Sequence, residues 1–522
     1  MDRCAYWVVG TFCSGCHQVA ARCSERPLAH PRRDAMLYCR RMSGLESDEL
    51  PLPPPPAPAA PRPFFRPWVT WLHTVFVLLI TGYLLHIGGG GPLDHLQSPE
   101  DSLERLTERE MDARVALARA TPIERRLYSA LSSGDEGLED WIRWHDELAQ
   151  SVDSPEVELE RFILLGEAKQ THALREGLEQ WDRQGDEVAR MKHWLAAAYL
   201  VPALDRSTAR TLVTEVRDTL PPGWFADTLV ARIAERAGDA VSRAQAESAM
   251  VTRGTALLRR WRALEAGGLA VVLTGLAGLT AMLVTRPDLR IANARMPEDF
   301  SLLEGYGLFI RGALGFLAAG IVLGLTIPPG SALEVLTGPA TAAPIVLLTL
   351  WYVRSRGLPL TEALGLRPAA HALPKLAWVS ITLVGVAITG ETVASFALDT
   401  LHLSAHWADG LQENLIWGSW GMVARETVDA VFWAPLAEEI GFRAVLYPAL
   451  RTRWGAGVAA AASAAVFAAA HGYGVAGFAA VFWSGILWAW AYERTGSILP
   501  GLAAHAFSNA AATAGVVLLL RL

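Results

Sequence analysis

Cysteine is confined to the start of this 522-residue chain, at Cys4, Cys13, Cys16, Cys23 and Cys39, so residues 40–522 contain none. Disulfides therefore cannot staple the bulk of the fold. Lysine is nearly as scarce, limited to Lys169, Lys192 and Lys375, and the net charge is −7. There is no basic tract with interleaved aromatics and no phosphate-cradling GxxxxGK[ST] loop, which excludes nucleic acid as a partner. Long stretches also lack charge of either sign. Only 19% of residues are charged against 52% hydrophobic, and the charges crowd positions 94–265, leaving 266–522 nearly continuous Ala, Leu, Val, Gly and Trp. Such a chain reads as a water-soluble module set inside a membrane protein.

Residues 1–66 read as a disordered leader, rich in Cys and Arg and then in Pro, with Met36 and Met42 as alternative starts. Its Cys13-Ser-Gly-Cys16-His17 spells a c-type haem attachment pattern or half a zinc site, but its Arg-rich surroundings carry no core-forming periodicity. The run Pro51-Leu-Pro-Pro-Pro-Pro-Ala-Pro58 is a polyproline linker that cannot build a core.

A membrane span needs about 20 mostly apolar residues. Nine stretches qualify, the first a signal anchor at 67–88 and the rest near 266–285, 304–327, 338–353, 376–397, 420–450, 457–471, 475–492 and 498–520, the fourth and seventh being short. With the Arg-rich N-terminus inside, the Lys and Arg of the loops after spans two, four, six and eight all fall on the cytoplasmic side. Loops 328–337 and 398–418, on the other side, have no Lys or Arg. The same parity puts residues 89–265 outside. The Ala- and Arg-rich composition suggests a bacterial cytoplasmic membrane.

Residues 89–265 are rich in helix formers, with apolar residues at helical spacing such as Leu138, Trp141 and Ile142, then Leu159, Phe162 and Ile163. Turn signals at Ser132-Ser-Gly-Asp135 and Leu220-Pro-Pro-Gly223 punctuate them. The expectation is an all-α fold: a polytopic transmembrane helix bundle over 266–522 with an extracytoplasmic helical domain inserted after the anchor. That domain shows no catalytic constellation, and its charged helices suit a solvated face or a surface for a protein partner.

Ionisable groups at bilayer depth are costly, so each one inside a span is a functional-site hypothesis. Three clusters stand out: Glu438-Glu439 with Arg443, Phe467 with His471, and His505 with Asn509. Glu439 and Arg443 stand at i and i+4 on one helix face and pair there; Glu438, about 100° round the axis, is left as a carboxylate suited to general-base work. One helix thus offers a carboxylate, another an imidazole and a third an imidazole with a carboxamide. These are the parts for hydrolysing an amide by activated water. The blander reading is polar glue between helices.

Glu-Glu-x-x-x-Arg, Phe-x-x-x-His and His-x-x-x-Asn, in this order on apolar helices, resemble the CPBP intramembrane proteases, the family of the CAAX prenyl endopeptidases. Ala434-Pro435 and Leu364-Gly-Leu-Arg-Pro368 add to the resemblance, which covers about residues 300–520. It implies an endopeptidase of peptide or membrane-protein substrates. Glu438 and His471 would activate water, His505 and Asn509 would stabilise the oxyanion, and Glu439 and Arg443 would support the site. No cofactor is firmly implied, although a Glu with two His could ligate zinc. The motifs of zinc, serine and aspartyl intramembrane proteases are absent. The competing class is a non-catalytic membrane protein of the same fold, either a peptide-binding or immunity scaffold or a proton-coupled transporter.

Overall fold

The computed structural model describes residues 64–87, 93–131, 137–181, 185–328, 330–401, 403 and 405–522. The Cys13–His17 motif, the polyproline run and the turn at 132–135 lie outside the described residues. Among the described residues the fold is all-α, without strands.

After α1 (Pro67–Ile87) come the module's helices among the described residues: α2 (Pro99–Leu117), α3 (Pro122–Leu131), α4 (Leu138–Ser151), α5 (Pro155–Glu167), α6 (Thr171–Gln180), α7 (Asp186–Leu195), α8 (Arg206–Thr219) and α9 (Trp224–Arg236). Apart from α3, whose Tyr128 packs against Ala113, Leu117 and Leu257 in a separate cluster, their apolar faces meet in one core built on Trp141, Trp144, Phe162, Trp194, Trp224 and Phe225. Helix α10 (Ala240–Thr285) then runs unbroken for 46 residues, about 69 Å at 1.5 Å per residue. Its first part is held in the module by Arg253, which lies 2.7 Å from both Asp112 and Asp227. Its second part is the apolar stretch that sequence analysis placed at 266–285. Module and membrane segment thus share one helix, with no linker between them.

The rest is an integral multi-pass bundle: α11 (Leu302–Thr326), α12 (Thr337–Ser355), α13 (Leu373–Thr400), α14 (residues 420–451), α15 (Ala456–Ala469), α16 (Val475–Thr495) and α17 (Leu499–Val516). Among the described residues seven helices are long and apolar enough to cross a membrane, and they contain seven of the nine stretches picked out by hydropathy. Of the other two, α15 is only 14 residues long, about 21 Å, and short of a hydrocarbon core about 30 Å thick. Helix α14 is helical throughout but changes character twice, with π-helical segments at Asp429–Trp433 and Glu439–Leu446. Two residues after the end of each π segment stands a proline, Pro435 and Pro448. A proline lacks the N–H that an α-helix needs and its ring crowds the carbonyl four residues back, so widening the turn by one residue accommodates it.

Small residues let the bundle close. A Cβ on Gly275 of α10 would lie 2.6 Å from the Gly385 Cα of α13, so the two helices touch backbone to backbone. The connecting segments form two groups. In one, Ile291 and Ala292 donate backbone N–H to the Thr495 carbonyl, Ile498 donates to Leu364, and Arg295 pairs with Glu362 at 2.9 Å. In the other, the module grips residues 405–419: His406 lies 3.1 Å from Glu147, and Glu413 accepts from the backbone N–H of Gln97 and Ser98 at 2.6 and 2.9 Å. Arg521, at the end of the last helix, donates to the carbonyls of Ile416 and Gly418 in the same group.

Candidate active site

Glu438 ends an α segment of α14 and Glu439 opens the π segment that follows. Glu439 is fully buried, and so, four residues on, is Arg443, whose Nη1 lies 3.0 Å from Glu439 Oε1. The guanidinium also sits over the Phe467 ring, 4.1 Å from its centroid, where the ring face favours a cation. The same Glu439 oxygen lies 3.0 Å from Nδ1 of His505 on α17. Gly501, one turn before His505, makes room for this carboxylate: a Cβ there would lie 3.0 Å from Glu439 Oε2.

With Nδ1 committed to Glu439, the His505 ring turns its Nε2 toward Glu438, 3.6 Å from Oε2. That Glu438 oxygen accepts no hydrogen bond from the protein, and Glu439 Oε2 and both terminal nitrogens of Arg443 are likewise without hydrogen-bond partners. Trp488 stacks on the His505 ring at 6.4 Å between centroids. Two acids, a guanidinium and an imidazole therefore share one largely buried cluster with hydrogen-bonding capacity to spare, a costly arrangement for structural purposes alone.

His471 lies just past the end of α15. Its Nδ1 is 2.8 Å from the carbonyl of Phe467, which leaves Nε2 as the free nitrogen when Nδ1 carries the proton. The Phe467 ring is the hub of the arrangement, packed edge-on against His471 at 4.8 Å and against His505 at 5.9 Å. Both imidazoles thus flank one buried ring. Asn509, one turn beyond His505, donates from Nδ2 to the carbonyl of Ala430 at 2.7 Å. All six candidate residues fall within one region, with Glu438, Glu439, Arg443 and His505 linked by ion pairs, His471 joined through Phe467, and Asn509 held at the π segment before Glu438.

Two partnerships here have no counterpart in the sequence motifs. The Glu439–His505 contact joins residues on different helices and leaves no trace in local spacing. The Ala430 carbonyl that receives Asn509 is a backbone group, and its only sequence signal is Pro435, five residues later.

The zinc alternative needs a carboxylate and two imidazoles aimed at one point. Among the described residues no group of three or more His, Cys, Asp or Glu side chains is placed to hold a metal ion, and His505 directs one nitrogen to Glu439. The donor set does not fit, and no step is routed through a metal.

No curated protein and no solved structure matches this chain. Residues 416–511, the segment that carries both carboxylates, Arg443, both imidazoles and Asn509, match the family described as type II CAAX prenyl endopeptidase Rce1-like, the same family that the motifs resemble.

Proposed function

We propose that this protein is an intramembrane endopeptidase that hydrolyses a peptide bond with water activated at Glu438. The observation that carries this reading is the double engagement of Glu439. It holds Arg443 and His505 together, which leaves His505 Nε2 and a Glu438 oxygen that accepts no hydrogen bond facing the same space.

Charge balance supports the division of labour. Two carboxylates face one guanidinium and one imidazole, so the proposed mechanism uses His505 with a proton on each ring nitrogen. His505 then gives Nδ1–H to Glu439 and offers Nε2–H to a developing oxyanion. Glu438 takes a proton from the attacking water, and His471, with Nδ1–H directed to the Phe467 carbonyl, presents Nε2 as a second acceptor. The water oxygen bonds to the substrate carbonyl carbon, and the oxyanion is met by His505 and by the second N–H of Asn509. The C–N bond then breaks as the proton held at Glu438 passes to the leaving amine. Glu439 and Arg443 hold the imidazole in place and touch no reacting atom.

The helical module, which packs on the segment leading into α14, is suited to receiving the extramembrane part of a substrate. The test is mass-spectrometric analysis of purified protein in liposomes with two reporters, a peptide ending in a prenylated cysteine motif and a single-span transmembrane peptide. The expected result is a pair of complementary fragments from one of them; intact reporters in both arms would overturn the proposal.

A further inference from the structure

Asn509 donates one of its two Nδ2 hydrogens to the Ala430 carbonyl. In an uninterrupted α-helix that carbonyl would take the N–H of Ala434, four residues on. Here the Ala434 N–H reaches back five residues to Asp429, and the next residue, Pro435, has no N–H to give. The wide turn and the proline together deprive Ala430 of a partner within its own helix, and Asn509 from α17 supplies one. The same local device recurs before Pro448, where the Tyr447 N–H reaches back five residues to Phe442. In this chain a π segment followed by a proline is thus a repeated way of altering which carbonyls the helix satisfies itself.

The consequence lies at the other end of the carboxamide. An asparagine fixed by one N–H has its second N–H aimed in one direction, and its carbon skeleton fixes the turn of α17 that also carries His505. From this geometry we infer that Pro435 is a positioning residue of the proposed active site, acting through the Ala430 carbonyl on the Asn509 carboxamide. This rests on the proposed hydrolytic role of the site. Pro435 touches no reacting atom. Its effect is to free a carbonyl that clamps an oxyanion donor in place before substrate arrives, so that little reorganisation is needed when charge develops.

The alternative is that Pro435 only bends α14. The two differ in whether the effects of Pro435 and Asn509 are coupled, which a double-mutant cycle measures. The experiment uses the full chain in liposomes with Pro435→Ala, Asn509→Ala and the double variant, the reporter being whichever peptide the wild type cleaves. Asn509→Ala is expected to lower kcat about 100-fold, the scale of losing one oxyanion donor. Pro435→Ala restores the missing N–H, lets the helix take back Ala430 and is expected to lower kcat about tenfold with KM nearly unchanged. In the Asn509→Ala background Pro435→Ala should cause no further loss. Multiplying effects in the double variant would overturn the proposal.

A second arm needs no activity. In thermal unfolding of the same four proteins, Asn509→Ala should lower Tm in the wild-type background, where it orphans the Ala430 carbonyl. It should do so much less beside Pro435→Ala, where the helix satisfies that carbonyl itself. Equal Tm shifts in the two backgrounds would overturn the inference even if the wild type cleaves. Coupled shifts in a wild type that cleaves nothing would keep the Pro435–Asn509 linkage and sink the protease reading alone.

Discussion

Glu439 is the residue on which the candidate site turns. It is fully buried and bound to two partners from different elements, Arg443 along its own helix and His505 across from it. Removing one member of a buried ion pair leaves an uncompensated charge and costs about 3 to 5 kcal/mol. Arg443→Met is therefore expected to lower Tm by several degrees and to abolish cleavage, while the double change Arg443→Met with Glu439→Gln, which removes both charges, should recover much of the Tm and none of the activity. Half of this was legible in the sequence. The i,i+4 spacing of Glu439 and Arg443 is local geometry, but His505 is 66 residues away and only tertiary packing brings it in.

A second residue-scale expectation concerns the module. His145 is fully buried, with Nδ1 2.8 Å from the Trp141 carbonyl and Nε2 3.2 Å from Glu160. Burial holds its pKa down at about 4, and burial together with nearby Glu104 and Glu108 pushes Glu160 well above the carboxylate range. The contact is thus a neutral one, a protonated Glu160 donating to a neutral imidazole. Because the folded pKa of His145 lies below the unfolded value near 6.5, its contribution is complete above that pH. It is lost as pH falls from about 6.5 to 4, whereas Glu160, whose folded pKa is raised, gains stability as pH falls toward its unfolded value near 4.5, so the two contributions oppose each other across that window. Hydrogen exchange of α4 and α5 in the full chain should therefore accelerate more steeply between about pH 6.5 and 4.5 in Glu160→Gln, which removes the opposing carboxyl, than in wild type.

At the scale of elements, the module and the bundle are joined in several places. Helix α10 passes from one to the other, and Glu413, just ahead of α14, caps the N-terminus of α2 from more than 300 residues away. The Ser98 side chain makes no cap there, and Glu413 takes the backbone N–H of Gln97 and Ser98 and the Ser102 hydroxyl at 3.0 Å. A carboxylate at a helix N-terminus satisfies orphan donors and suits the helix dipole. Glu413→Ala should remove about 1 kcal/mol of local stability, seen as faster hydrogen exchange at 97–105 and 413–419. The α10 continuity was masked in the sequence, because hydropathy divides residues 240–285 and the turn signal Gly267-Gly268 sits at the division, yet the helix runs through it. In α14 the opposite holds. Its length and apolar character were readable, and Pro435 signalled a disturbance, but which carbonyl the wide turn frees depends on hydrogen bonds that no pattern of residue types encodes.

For the whole molecule, the grouping of connecting segments follows the charge pattern. The Arg-bearing loops after α10 and α12 and the end of α16, which carries Arg494, bind one another, whereas the segment 405–419, devoid of Lys and Arg, gathers with the module and Arg521. Charge bias was enough to sort these segments because it acts through loop composition and not through packing. Accessibility labelling checks the orientation. In a variant with the five cysteines replaced by Ser, a membrane-impermeant thiol reagent applied to intact cells should label His172→Cys in the module, and should label Glu298→Cys only after permeabilisation. Equal labelling of both in intact cells would contradict the topology.

The central claim, that Glu438 activates the water, is tested most directly by single-turnover cleavage rates of Glu438→Gln beside wild type, with matched Tm values to show an intact fold. A neutral carboxamide keeps the shape but cannot take the proton, so the rate should fall at least about 100-fold, the range that general-base catalysis supplies. A variant that cleaves at the wild-type rate would contradict the account.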